Sequence, residues 1–125
     1  MEIAFTDREL DVMAVLWERG SATVAEVREQ LDDVLAYTTV LTMLRILEEK
    51  GYVRHEDEGR AHRFIPLVER QAAGQSALRR VVRKLFGGSP ELLLTQLVSD
   101  RDVTNDDVRR MRELLARHLK QEGDA

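Results

Sequence analysis

The chain contains no cysteine, only two prolines, and six aromatic residues among 125. Without cysteine there is no disulfide framework, no thiol switch and no thiolate-ligated metal. So few aromatics leave the core to aliphatic side chains, as in helical folds. No apolar run approaches the roughly 18–20 residues needed to cross a bilayer. The first residues also lack the basic stretch and long apolar stretch of a secretory signal, so cytoplasm is the expected compartment and no membrane partner is expected. Nucleophile-elbow glycines and a phosphate-binding Walker loop are missing, and no His–carboxylate constellation rises above chance. Gly87, Gly88 and Ser89 read as a helix stop and start rather than a phosphate cradle. Catalysis is therefore not expected.

Positive charge is scarce as well. The net charge is −4 and the isoelectric point is near 5.4, which speaks against an indiscriminate nucleic-acid binder. Residues 1–67 hold eight Lys and Arg against fourteen Asp and Glu, a balance of −6, whereas residues 68–125 hold eleven against nine, a balance of +2. Any contact between the first half and DNA must rest on charge placed locally. What is present is ordinary for a core-forming protein: 43% hydrophobic and 34% charged residues, in a length that suits one domain or a small domain with a helical appendage.

Thr6 and Glu9 have capping-box spacing, in which a hydroxyl and a carboxylate satisfy each other's orphan amides. Leu10, Met13, Ala14 and Trp17 then recur at helical spacing up to about Arg19, with Gly20 as the stop. Thr23 and Glu26 repeat the signature before Val24, Val27 and Leu31. A third helix is expected from about Thr38 to Lys50, closed by Gly51. The rhythm then changes. Residues 52–57 and 60–66 read as two extended runs joined through Glu58 and Gly59, with Pro66 expected to end the pairing. Three helices followed by a two-stranded hairpin is the order of a winged helix-turn-helix.

The remainder reads as helical. Residues 69–86 form one amphipathic stretch. Ser89, Pro90 and Glu91 start a short helix that is apolar on most sides, as a buried helix is. Thr104 caps a last helix carrying the stripe Val108, Met111, Leu115 and Leu119.

On the third helix, Val40, Met43, Leu44 and Leu47 share one side, the core face. Thr38, Thr42, Arg45 and Glu49 lie opposite, with Thr39 and Leu41 on the flanks. A hydroxyl-rich stripe with one arginine suits a major groove, where Thr meets phosphates or thymine methyls and Arg grips guanine. It also fits a solvated face, although threonine is a mediocre helix former. In the hairpin, Arg54, Arg60 and Arg63 either reach DNA, with Arg60 at the tip, or pair with Glu56, Asp57 and Glu58. His55 and His62 fall on neighbouring strands, but with no cysteine and no HxxxH spacing neither they nor His118 are assigned a metal. No cofactor is expected.

The run Leu35 to Gly51, containing Ala36-Tyr37-Thr38-Thr39-Val40, together with Glu58-Gly59-Arg60 and the stretch to Pro66, resembles the penicillinase-repressor family of the BlaI/MecI type. Leu10 through Trp17, Thr23 through Val27 and Leu85 through Pro90 agree with it. The resemblance spans nearly the whole chain. It implies a mainly α protein with a winged-helix DNA-binding domain at 1–67 and a helical dimerisation domain at 68–125. It implies a homodimeric repressor on a double-stranded inverted-repeat operator, often of the TACA/TGTA type, at resistance genes. Carried onto this chain, the DNA-contacting positions are Thr38, Thr39, Thr42 and Arg45, with Arg60 and Arg63 in the wing. The dimer interface falls to Leu93, Leu97, Val108, Met111, Leu115 and Leu119. Family members are released when a sensor-protease system cleaves an Asn–Phe bond; the matching bond here is Gln96–Leu97, where both residues differ. Related copper-responsive repressors carry C-terminal Cys-x-Cys pairs, which this chain lacks.

Two other classes compete. A winged helix also serves as a protein-interaction adaptor, which the acidic first half would suit. A ligand-sensing regulator of the MarR type builds its dimer from both ends of the chain, and here the first helix begins close to residue 6, leaving little before it for that role.

Overall fold

The computed structural model describes residues 3–123. The elements run α1 (Asp7–Arg19), β1 (Ala22–Thr23), α2 (Val24–Gln30), α3 (Tyr37–Glu49), β2 (Val53–Glu58), β3 (Ala61–Pro66), α4 (Arg70–Leu85), α5 (Pro90–Val98) and α6 (Asn105–Gly123). Both expected capping boxes form. Thr6 accepts from the Glu9 amide while Glu9 accepts from the Thr6 amide, and Thr23 and Glu26 repeat the exchange. Helix α1 stops at Gly20, whose φ of +84° suits a residue without a Cβ.

The described residues divide into two compact units between Arg79 and Arg80. In the first, α1, α2 and α3 pack with a three-stranded antiparallel sheet of order β1-β3-β2. Its core is mainly aliphatic, with Tyr52 and Phe64 as its buried aromatics: Val12, Met13, Leu16, Val27, Val40, Leu44 and Leu47 from the helices meet Val53 and Phe64 from the sheet. On α3 the expected core face holds, with Val40, Leu44 and Leu47 buried and Met43 half-buried.

On α1 the packed side differs from the expected stripe. Val12, Val15 and Leu16 join Met13 in the core, Leu10 and Ala14 face outward, and Trp17 is half-buried. Seven of the eight residues from Leu10 to Trp17 are apolar, so spacing alone allows two overlapping stripes. The indole N–H of Trp17 donates to the Val68 carbonyl at 2.7 Å, and the Arg70 guanidinium lies 5.6 Å from the ring centroid.

Strand β1 is absent from the sequence reading, because two residues carry no periodicity. Its partners are Ala22↔Phe64 and Thr23↔Arg63. Pro66 is the last paired residue, opposite Val53, so the ladder ends there as expected. The Leu67 amide donates to the Tyr52 carbonyl at 2.9 Å, so the Val53–Pro66 pair is a non-hydrogen-bonded one, where proline's missing N–H has no consequence.

In the second unit α5 has its Ser89 cap and Pro90 start, and Thr104 and Asp107 exchange bonds at the start of α6. The expectation that α5 is buried does not hold within one chain. None of its residues is buried, nor is any of α6. No helix among the described residues is long and apolar enough to cross a membrane.

Candidate nucleic-acid interface

Helices α2 and α3 are joined by residues 31–36, and Arg28 Nε on α2 donates to the Leu35 carbonyl at 2.8 Å, tying the joint together. With Val40, Leu44 and Leu47 held in the core, the opposite face of α3 must point away from it. Thr38, Thr39, Thr42 and Arg45 are all exposed. The Thr42 hydroxyl donates to the Thr38 carbonyl at 2.9 Å and keeps its capacity to accept. Among the described residues Arg45 has no ion pair or hydrogen bond.

The start of α3 differs from those of α1, α2, α5 and α6. Helices α1, α2, α5 and α6 each begin with a capping hydroxyl and an acid in the first turn. Helix α3 begins with Ala36, makes no side-chain cap and has no acid in its first turn. Its first amides and the positive end of its dipole are left for an outside acceptor. Sequence reading missed this, although an Ala-Tyr-Thr start without Ser, Asp or Asn was a visible signal.

The hairpin turn is Gly59-Arg60, since Glu58 pairs with Ala61; the expected junction at Glu58-Gly59 is one residue early. Gly59 has φ +62° and Arg60 a negative φ, the pattern of a type II′ turn, which calls for glycine at its first position. This sets Arg60 at the tip, where it has no bonding partner among the described residues.

The other wing arginines are engaged. Arg54 pairs with Glu56 at 2.8 Å. Arg63 donates to Glu58 at 2.7 Å, lies 3.2 Å from Glu26 on α2, and reaches Ser21 Oγ at 3.3 Å. The bond to Glu58, working against partial burial and helped by Glu26, raises the Arg63 pKa further. Glu26 is held below its usual value, first by the Thr23 amide, then by Arg19 and Arg63.

Much of the acidic charge of this unit is therefore internally neutralised. Glu9 is 5% exposed and lies 2.8 Å from Lys50 Nζ. Burial opposes its ionisation, but Lys50 and Thr6 outweigh it and its pKa is lowered. Arg8 meets Asp33 at 2.5 Å. Asp11, Glu18, Asp32 and Asp33 line a cleft of about 370 Å³ to which α3 contributes no residue.

Of the residues expected to mediate dimerisation, Leu93, Val108 and Met111 are half-buried and Leu97, Leu115 and Leu119 exposed. Leu114, absent from the expected stripe, is 59% exposed. Gln96 and Leu97 are exposed and lie inside α5. His55 and His62, to which the sequence assigned no metal, come together with Asp57 on one face of the wing.

A three-helix bundle with a β1-β3-β2 sheet, an outward α3 and a wing tipped by arginine is a winged-helix domain. The sequence pattern of the penicillinase repressor family matches residues 5–117, so the chain belongs to that family of DNA-binding transcriptional repressors, which are not enzymes. Over 115 residues it is 23% identical to the penicillinase repressor of Bacillus licheniformis, covering 90% of each chain. Over 64 residues it is 44% identical to the transcriptional regulator BlaI of Mycobacterium tuberculosis (strain CDC 1551 / Oshkosh), covering 49% of this chain and 46% of the other. The solution structure of the DNA-binding domain of the repressor BlaI is 32% identical with a TM-score of 0.50, covering 58% of this chain and 93% of that one.

Proposed function

We propose that the chain acts as a homodimer on an inverted-repeat DNA operator, with residues 1–67 contacting DNA and residues 68–125 joining the two copies. The observation that carries the DNA contact is the outer face of α3: Thr38, Thr39, Thr42 and Arg45 exposed, Arg45 without a partner among the described residues, and the helix start uncapped. Thr38 and Thr39, at that open end, receive a phosphate together with the backbone amides. Thr42 and Arg45 read base edges, Arg45 in bidentate fashion. Arg60 at the wing tip takes a second backbone contact, while Arg63, held by Glu58 and Glu26, braces the wing at its working angle.

Dimerisation is supported by the second unit, where Leu85, Leu92, Leu97, Leu115 and Leu119 are 44–75% exposed and no residue of α5 or α6 is buried. Two copies give each other the core that one lacks. Release would then follow from separating them, and cleavage by a sensor protease at Gln96–Leu97 would cut the apolar α5 itself. The name of the Bacillus licheniformis relative, a penicillinase repressor, makes resistance genes the proposed targets.

Selection of bound fragments from a random DNA pool by the full chain, with the mass of the complex measured by sedimentation, tests the reading. Recovery of a two-fold symmetric site occupied by two chains is expected. Enrichment of no sequence, or a 1:1 complex on an asymmetric site, would overturn it.

A further inference from the structure

The inner face of the wing gathers side chains that DNA contact does not use. The His55↔Phe64 and Asp57↔His62 pairs alternate with the hydrogen-bonded ones, so both occupy positions where facing side chains approach most closely. The imidazole centroids of His55 and His62 lie 4.6 Å apart. One ligand atom from each of His55, Asp57 and His62 lies within 4.8 Å of the others. Glu48, in the last turn of α3, lies 2.6 Å from His55 Nδ1, and Asp57 lies 2.9 Å from His62 Nδ1, close to the spacing of two ligands on one ion. Glu48 only accepts, so in the neutral imidazole of His55 Nδ1 carries the proton and Nε2 is open to a metal, whereas at His62 an ion would take the place of the proton between Nδ1 and Asp57.

We infer that His55, Asp57 and His62 form a binding site for a divalent transition-metal ion of the zinc type. Two imidazole nitrogens and one carboxylate oxygen are the ligand chemistry of zinc, nickel or cobalt. Calcium and magnesium take oxygen, and copper(I) takes sulfur. Ligands about 2.0–2.1 Å from a tetrahedral zinc stand about 3.3 Å from one another. The cluster therefore needs to close by less than about 1.5 Å. The Asp57 side chain, 80% exposed next to the turn, is free to make that move. Glu48 on His55 Nδ1 is placed as the outer carboxylate that fixes a metal-bound imidazole. Because Glu48 belongs to α3 and the three ligands to β2 and β3, the ion would fasten the wing to the end of the DNA-facing helix.

Zinc titration of the untagged full chain against a chromophoric chelator, with the visible spectrum of the cobalt form, tests the site. We expect one ion per chain, a tetrahedral cobalt spectrum, and a rise in Tm with zinc. His55→Ala and His62→Ala should each weaken binding tenfold or more, Glu48→Gln by about tenfold, and His118→Ala not at all. Asp57→Asn, at an exposed position, serves where a histidine variant fails to fold, and should remove the tetrahedral spectrum. No uptake at 100-fold excess zinc, or uptake unchanged in His62→Ala and Asp57→Asn, would overturn the inference.

Discussion

Arg45 and Arg60 have the same chemistry but different settings. Arg45 projects from a helix whose opposite face is fixed in the core, so its reach is defined and its loss should be felt at particular bases. Arg60 sits on a two-residue turn and can follow the phosphate backbone. Arg45→Ala is expected to lose about 1–3 kcal/mol per half-site on the preferred sequence and little on scrambled DNA. Arg60→Ala should weaken both alike and flatten the salt dependence by about one unit of slope per wing. Equal losses on both DNAs for both variants, in titrations at several salt concentrations, would show that α3 is not the reader. A second residue-scale expectation concerns Glu9. Folding lowers its pKa below the usual 4.5, so the unfolded chain holds more protons in that range. The stability Glu9 contributes is fully present above about pH 4.5 and is lost as pH falls through the folded value. Urea unfolding between pH 7 and 3 should show this decline, and Glu9→Gln should flatten it. Lys50→Met at pH 7 leaves a carboxylate that is 5% exposed without its cation. Lys50 is itself partly exposed, so the loss should be about 1–2 kcal/mol, below that of a fully buried pair.

Helix α3 combines two properties that conflict for stability alone. It anchors the core through Val40, Leu44 and Leu47, yet its start is uncapped while four other helices are capped. Ala36→Ser and Ala36→Asp should each stabilise the fold by about 0.5–2 kcal/mol by supplying the missing acceptor. Their effects on DNA should differ. An aspartate would place a negative charge where the phosphate is proposed to sit, so affinity should fall although Tm rises; serine should raise Tm with a smaller effect on affinity. If both variants bind as the wild type does, the helix start does not face the backbone. The wing is constrained at its base by Arg63, which connects β3 to Glu58 and to Glu26 on α2, so its angle is set by the same unit that positions α3.

Across the whole molecule, charge and apolar surface are distributed unequally. The first unit buries a complete core, and many of its carboxylates are paired. The second unit exposes large aliphatic side chains on α5 and α6. If these faces join two copies, Leu115→Glu combined with Leu119→Glu would put carboxylates into an apolar interface. Sedimentation should then give the mass of one chain. Affinity for a two-half-site operator should fall 100-fold or more, because the second half-site loses its effective concentration, while binding to a single half-site stays as it was. An unchanged mass for this variant would move the interface elsewhere.

Apart from the wing hairpin, read from two extended runs with a glycine between them, the features legible in the sequence are those whose partners lie within four residues. Thr6 with Glu9, Thr23 with Glu26, and Ser89 before Pro90 mark helix starts because the hydroxyl and the amide it bonds are three positions apart. The division of α3 into a core face and a threonine-arginine face follows likewise from 3.6 residues per turn. What the tertiary structure decided involves partners brought together by chain closure. Strand β1 exists because Phe64 and Arg63 pass beside Ala22 and Thr23. Glu9 is buried because Lys50, 41 positions away, meets it. Arg63 is held and Arg60 free because a glycine in the first turn position sets the hairpin register. That same register places Asp57 opposite His62. Local spacing settles which way a helix faces; which groups meet across the fold depends on how distant segments pack, and no short-range period encodes that.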